Sequence, residues 1–286
     1  MGPIAQAGYT AAAVDVRGYG GSSKPWPIEA YDMKSIIGDL QKVADELGGG
    51  RAILMGHDWG APIVWNSALV DPERFTAVAA LAIPYTGVGK EPFIEHSRRR
   101  FTEKGRFFYQ IRIQDEGDVE AEAEADVRST LRKIYYSISA DAPEGAWPKD
   151  KVHGDGLLHR LVDPPKFPAW LTDEDIDYYV KEFEGSGFRG PFNRYRNFHR
   201  DFEYLSNFRD RRIEQPALFI TQRGEAMTQE HWPCRVIPPV RETHRRMVRR
   251  TWRGSDRRTS RGSDRWMFRA WMSSCGSVSI SARIPA

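Results

Sequence analysis

The 286-residue chain is 40% hydrophobic and 28% charged, a balance that suits one globular domain, or one domain carrying a lid, and excludes disorder throughout. Its apolar runs, such as residues 76–83, fall far short of the roughly 20 residues a transmembrane helix needs, and residues 1–14 lack the basic start of a signal peptide, so a cytoplasmic protein is expected. The formal net charge of +3 hides an asymmetry: residues 231–286 hold 13 Arg, no Lys and three acids (Glu242, Asp256, Asp264), a local balance of +10, so the preceding 230 residues carry −7.

Along the chain, Gln6 stands where a myristoylation signal beginning at Gly2 wants Ser or Thr, so no lipid anchor is expected. Thr10 to Val16 alternates small and β-branched residues and breaks at Arg17-Gly18-Tyr19-Gly20-Gly21-Ser22-Ser23, the pattern of a buried strand ending in a glycine-rich turn. Ser23 occupies the place of a third dinucleotide-fingerprint glycine, and Pro25 and Pro27 follow instead of a helix start, which argues against dinucleotide binding. After Asp32 as a cap, Met33, Ile36, Ile37, Leu40, Val43 and Leu47 recur at three- and four-residue steps until Gly48 to Gly50, predicting an amphipathic helix. Arg51 to Met55 predicts a short strand, Ala61 to Val70 a helix with Pro62 tolerated in its first turn, and Phe75 to Ile83 a further buried strand. Strands alternating with helices predict an α/β fold with a mostly parallel sheet.

Beyond Pro84 the pattern changes to helices separated by polar, Gly- and Pro-bearing stretches as far as about Arg196, which predicts an inserted helical lid. Val127, Leu131, Ile134, Tyr135 and Ile138 mark one helix, and Thr172-x-x-Asp175 flanked by Leu171 and Ile176 gives another its capping box and hydrophobic staple. Gln215 to Thr221 returns to a buried strand. The expected organisation is residues 1–86 as the first part of the core, 87–200 as the lid, 201–230 as a returning core strand and 231–286 as an irregular Arg-rich tail.

The most informative residues are Gly56-His57-Asp58-Trp59-Gly60, between a predicted strand and a predicted helix. A strand-to-helix turn this tight needs nearly side-chain-free flanks, and it holds its central residue in a strained conformation with the reactive atom exposed. Asp58 is that residue. Its carboxylate can attack an electrophilic carbon to form an ester, with the helix N-terminus expected to keep it ionised. The alternative, Asp58 as an ordinary helix N-cap, leaves Gly56 and Gly60 unexplained.

With these motifs, the chain from about Tyr9 to Thr221 resembles the soluble epoxide hydrolases of the α/β-hydrolase family. The resemblance rests on Asp15-x-Arg17-Gly18-Tyr19-Gly20-x-Ser22, on the turn around Asp58, and on two lid segments, Phe107-Phe108-Tyr109-Gln110 and residues 186–196 (Ser-Gly-Phe-Arg-Gly-Pro-Phe-Asn-Arg-Tyr-Arg). It implies Asp58 as nucleophile, Tyr109 and Tyr195 as the acids that open the ring, and the Trp59 backbone N–H as an oxyanion donor, with His57, Gln110 and Pro84 at the substrate pocket. The chemistry asks for such residues, because ring opening by a carboxylate needs donors on the developing alkoxide. The implied substrate is a small apolar epoxide, the product a diol, and no cofactor or metal is expected.

The resemblance also implies a second acid, matched by Glu225, and a histidine in a Gly-His-Trp setting that activates the hydrolytic water. It further implies a His-Gly-x-Pro loop, ahead of Tyr9, supplying another oxyanion donor. Neither motif occurs in the chain. His231 and His244 are the remaining candidates for the base, and the expectation is a defective or partial copy that forms the ester slowly and cannot clear it.

The tail holds two near-repeats, residues 253–257 and 261–265, and the only cysteines, Cys234 and Cys275, which imply no disulfide framework. Its arginines and tryptophans allow a nucleic-acid-binding reading, although nucleic acid is not the expected partner. Another reading is a reading-frame change from about Gln222, where the composition switches and the resemblance stops. Rival functions are a haloalkane dehalogenase-like hydrolase, against which paired lid tyrosines argue, and a non-catalytic binding protein with a basic nucleic-acid-binding tail.

Overall fold

The computed structural model describes residues 2–48, 50–139, 141–168, 170–220 and the backbone of 278–282. They form two compact units, one drawn from the described parts of residues 1–16, 33–88 and 203–286 and the other from those of residues 17–32 and 89–202. No helix among the described residues is long and apolar enough to cross a membrane.

The first unit is built on β1 (Thr10–Val14), β2 (Ala52–His57), β3 (Phe75–Leu81), β4 (Ala217–Ile220) and β5 (Val278–Ala282), in the spatial order β1-β5-β2-β3-β4. β2, β3 and β4 pair in parallel, as expected, whereas β5 runs antiparallel to both neighbours, with Thr10 opposite Ala282 and Gly56 opposite Val278. The tail expected to be irregular therefore contributes a strand to the middle of the sheet. Val-Ser-Ile-Ser-Ala alternates apolar and polar residues at the strand period, a signal too short to stand out beside the Arg-, Gly- and Ser-rich sequence before it, and its pairing with β1 and β2 decides the outcome.

Around this sheet lie α1 (Gly2–Gln6), α2 (Met33–Glu46) and α3 (Gly60–Val70). In α2 the buried stripe is Met33, Ile36, Ile37, Leu40 and Ala44. Ala44 thus takes the inward position that the sequence pattern gave to Val43, because at about 100° per residue it falls at the centre of the stripe, and Val43, half-buried, at its edge. α3 is apolar on most of its circumference, burying Ala61, Ile63, Val64, Trp65, Ala68 and Leu69, and packs against β2 and β3. Leu54, Phe75, Val78 and Ala80 are buried in the same unit. Each large side chain among them contributes on the order of 2 kcal/mol through removal of its surface from water.

The second unit contains α4 (Phe93–Arg100), α5 (Tyr109–Arg112), α6 (Asp118–Glu124), α7 (Val127–Ser137), α8 (Asp173–Ser186) and α9 (Arg189–Tyr195), followed by α10 (Phe198–Ser206). The Thr172 hydroxyl accepts from the Asp175 N–H at 3.2 Å while the Asp175 carboxylate accepts from the Thr172 N–H at 3.1 Å, and Leu171 and Ile176 are buried beside this cap. Asp126 caps α7 by accepting from the Ser129 N–H. Ile94, Phe101, Phe108 and Ile111 form an aromatic core, with Phe93, Tyr109 and Phe198 packed against it.

Residues 17–32, assigned from sequence to the core, belong to this helical unit. A close approach of two glycines explains the assignment. Gly18 has φ +93°, and a Cβ on Gly190 would lie 2.7 Å from the Gly18 Cα, a distance real Cβ atoms do not show. Arg194 and Asn197 then tie the turn down, donating to the carbonyls of Tyr31 at 3.1 Å and Ile28 at 2.7 Å. Buried Arg194 also pairs with Asp201.

Candidate active site

The chain turns sharply between β2 and α3. Asp58 has φ +49°, a left-handed conformation that costs most residues roughly 1–2 kcal/mol and is tolerated best by Gly, Asn and Asp. Gly56 is required for a different reason. A Cβ there would stand 2.1 Å from the Gly60 carbonyl oxygen and 2.9 Å from the Ala61 nitrogen, so the strand and the first turn of α3 approach too closely for any side chain. The Ala61 N–H donates to the Asp58 carbonyl at 2.9 Å, closing the corner.

At this corner the Trp59 N–H donates to the Asp58 carboxylate oxygen Oδ1 at 2.7 Å. One oxygen of the carboxylate is thus held by the backbone N–H of the following residue. In an ester formed through the other oxygen, Oδ1 would be the carbonyl oxygen. The same N–H would then face the negative charge that builds when water adds to the ester carbon.

Burial pushes the Asp58 carboxyl above the usual carboxylate range, and the hydrogen bond from Trp59 pulls it back only in part. Removal of water is the larger of these two influences on the carboxyl. His57, the last residue of β2, is lowered to about 4 by burial and is neutral at pH 7. Pro84 follows β3 and is half-buried. The indole of Trp65 donates to the Ile83 carbonyl at 3.1 Å, and its ring meets Tyr85 with centroids 5.9 Å apart. Ala82, at φ +70°, bends the chain between β3 and Pro84. Trp65 and Tyr85 escape the sequence reading because apolar aromatics in a helix or after a strand carry only a core signal.

In the helical unit, Tyr109 begins α5 and Tyr195 ends α9, and their rings meet edge to face with centroids 5.9 Å apart. Trp147 also meets the Tyr109 ring edge to face, with centroids 6.2 Å apart at 90°. The Gln110 side-chain amide donates to the Tyr109 hydroxyl oxygen at 2.7 Å. Gln114 donates from one amide nitrogen to the carbonyls of Gln110 and Tyr195, at 2.8 Å and 2.9 Å, joining the two segments. Arg196 adds a second tie, donating to the Ile113 carbonyl at 2.9 Å and pairing with Glu120, whose side chain is 10% exposed. Burial alone would raise Glu120, but the hydrogen bond and charge of Arg196, with backbone N–H groups, outweigh it and hold the carboxyl below its ordinary value. Gln114 and Trp147 are absent from the sequence-predicted set, since their contacts join residues distant along the chain.

Glu225, His231 and His244 lie outside the described residues. Among the described residues no group of three or more His, Cys, Asp or Glu converges. A surface groove of about 890 Å³ in the first unit is lined by charged residues including Asp71, Asp210 and Arg211, and contains none of the predicted site residues.

Residues 2–148 match the model of the alpha/beta hydrolase fold family. The chain is 40% identical over 218 residues, 76% of its length and 67% of the relative's, to Epoxide hydrolase A of Mycobacterium tuberculosis. It is 31% identical to Epoxide hydrolase B of the same organism, over 84% of this chain and 78% of that one. Among solved structures, Epoxide Hydrolase A from Mycobacterium thermoresistibile matches with a TM-score of 0.69 and 38% identity, over 73% of this chain and 65% of that one. An epoxide hydrolase from an endophytic Streptomyces matches with a TM-score of 0.68 and 40% identity, over 73% and 63% respectively. The chain thus spans just under two thirds of the length of these two solved relatives.

Proposed function

Because the chain belongs to the epoxide hydrolase family of the α/β-hydrolase fold, we propose that it opens epoxides with Asp58 as nucleophile, forming an ester that water cleaves to a diol. One carboxylate oxygen attacks a ring carbon, the ring C–O bond breaks toward its oxygen, and that oxygen takes a proton from Tyr109 or Tyr195. Water then adds to the Asp58 carboxyl carbon, and the Trp59 N–H stabilises the charge that gathers on Oδ1. Expulsion of the alkoxide, which takes up a proton, frees the diol and returns Asp58.

The observation that carries the reading is the Asp58 corner: a left-handed acidic residue whose Oδ1 is already bound by the following N–H at 2.7 Å. The edge-to-face pair Tyr109 and Tyr195 supports it, because two adjacent phenols suit an alkoxide. The aromatic surroundings of Tyr109 favour an apolar epoxide.

The two half-reactions make different demands. Ester formation needs a carboxylate and proton donors, whereas ester cleavage needs a base for water. None of the chain's seven histidines stands in a Gly-His-Trp setting. We therefore propose that ester formation outpaces ester cleavage in this chain. Incubation with styrene oxide followed by intact-mass measurement should show a single added epoxide mass, mapped by peptide analysis to Asp58 and absent from Asp58→Asn. No adduct and no diol would overturn the nucleophile assignment, and sustained diol formation without adduct would overturn slow clearance.

A further inference from the structure

We propose that Trp65 is a positioning residue for the epoxide: its indole N–H holds the chain after β3 in a strained turn at Ala82, and this turn keeps the approach to the Asp58 carboxylate open. This rests on the epoxide-opening reading and adds the group that secures access to its nucleophile.

β2 and β3 run parallel with His57 opposite Leu81, so Asp58 and Ala82 leave the sheet side by side, at the roughly 5 Å spacing of neighbouring strands. Both leave it left-handed, Asp58 at φ +49° and Ala82 at φ +70°, and Arg160 is the only other non-glycine with positive φ among the described residues. A short polar side chain helps aspartate to tolerate this backbone, whereas alanine has no such help. The Ile83 N–H donates to the Leu81 carbonyl at 2.9 Å across Ala82. That bond makes a γ-turn with a left-handed central residue, the rarer and more strained of the two forms.

Strain of this kind persists only where the surroundings enforce it. The Ala82 N–H donates to the Ile220 carbonyl at 3.0 Å on one side of the turn. Beyond the turn, the indole of buried Trp65 donates to the Ile83 carbonyl at 3.1 Å, and its ring meets that of Tyr85. Pro84 confines Ile83 to extended backbone, so the bend cannot be shared with that residue and falls on Ala82. An unstrained Ala82 would carry β3 onward beside the Asp58 corner, at the carboxyl end of the parallel strands where a ligand has to enter. The γ-turn reverses the chain at once and delivers Ile83 and Tyr85 to Trp65. Latched and relaxed forms are thus two arrangements of one loop, and the Trp65 hydrogen bond sets the balance between them.

The experiment is single-turnover formation of the Asp58 ester over a range of styrene oxide concentrations, read by rapid quench and mass spectrometry. A loop relaxed across the carboxylate lowers the fraction of competent molecules and raises the half-saturating concentration by the same factor. Trp65→Phe keeps an aromatic ring and loses the N–H. It should raise that concentration about two- to tenfold, the equivalent of one hydrogen bond, with the limiting rate held within about twofold. Adding Ala82→Gly should bring the value back to the parent's, because glycine adopts the left-handed turn without strain and needs no latch. Ala82→Val leaves Trp65 intact and serves where Trp65→Phe fails to fold. Left-handed backbone is an outlier for a β-branched residue, so this variant should raise the half-saturating concentration as well. A Trp65→Phe defect that Ala82→Gly does not repair would show a packing role and overturn the assignment. An unchanged half-saturating concentration in Trp65→Phe or in Ala82→Val would also overturn it, as would a loss confined to the limiting rate. Absence of any ester in the unmodified chain would instead strike at the epoxide-opening reading itself.

Discussion

Gly56→Ala is the sharpest probe of the corner that presents Asp58. The added methyl would meet the Gly60 oxygen at 2.1 Å and the Gly60 carbonyl carbon at 2.3 Å, whereas ordinary van der Waals contact begins near 3.4 Å. β2 and the first turn of α3 would have to part by more than about 1 Å, and the atoms in the way are backbone, which no rotamer change can move aside. Overpacking of this kind costs about 3 kcal/mol or more, the upper end for such substitutions. With urea slopes of about 1–3 kcal/mol/M, the unfolding midpoint should fall by at least about 1 M. The same parting would strain the 2.9 Å Ala61 to Asp58 bond and the 2.7 Å Trp59 to Asp58 bond, so ester formation should fall even where the variant remains folded. Gly38→Ala is the control. It lies within α2, where an added Cβ would meet nothing within 4 Å, so it should gain about 0.5–1 kcal/mol from reduced backbone freedom in the unfolded chain. A Gly56→Ala protein with the parent's urea midpoint and ester-formation rate would refute the close approach on which the site depends.

Two further outcomes follow from the ionisable groups. Burial raises Asp58, so below the unfolded pKa both states are protonated, and as pH rises the unfolded state ionises first and stability declines. Asp58→Asn should therefore be more stable than the parent at pH 7, with the gap closing in acid, and ester formation by the parent should climb with pH over a range above that of an ordinary aspartate; equal stability of the two proteins across a urea series from pH 3 to 7 would contradict this. Glu120 is shifted the other way, so its pairing with Arg196 contributes stability that is complete above the unfolded pKa and lost as pH falls through the lower folded value. Glu120→Gln should cost about 3 kcal/mol at pH 7 by leaving buried Arg196 without its counter-charge, and should flatten the acid limb of the stability curve; an unchanged midpoint would show the pair to be dispensable.

Local chemistry was legible in the sequence wherever a residue type answers a local demand. Gly56, Asp58 and Gly60 announce a sharp strand-to-helix corner because few other residues fit it, and Thr172 with Asp175 announces a helix start because each satisfies the other's backbone N–H. The stripe along α2 could be read to within one residue, Ala44 replacing Val43, since periodicity marks a face better than its edges. Partners far apart in the chain were not legible. Nothing local shows that Gly18 lies against Gly190 and so draws residues 17–32 into the helical unit, or that Gln114 joins Gln110 to Tyr195. The influence of burial on Asp58 was missed for a related reason: the sequence shows the helix that follows it and hides the surroundings that exclude water.

The placement of β5 bears on how the protein comes to be assembled. β1 pairs with no strand except β5 among the described residues, and its partner positions lie some 270 residues later. A nascent chain therefore holds Thr10–Val14 without its β5 partner through most of its synthesis, while β2 and β3 can already zip together beside α3. Such distant pairing is paid in loop-closure entropy and makes folding slow. Open strand edges meanwhile invite association between chains, so production at low temperature or with a holding chaperone is the practical counterpart of this topology.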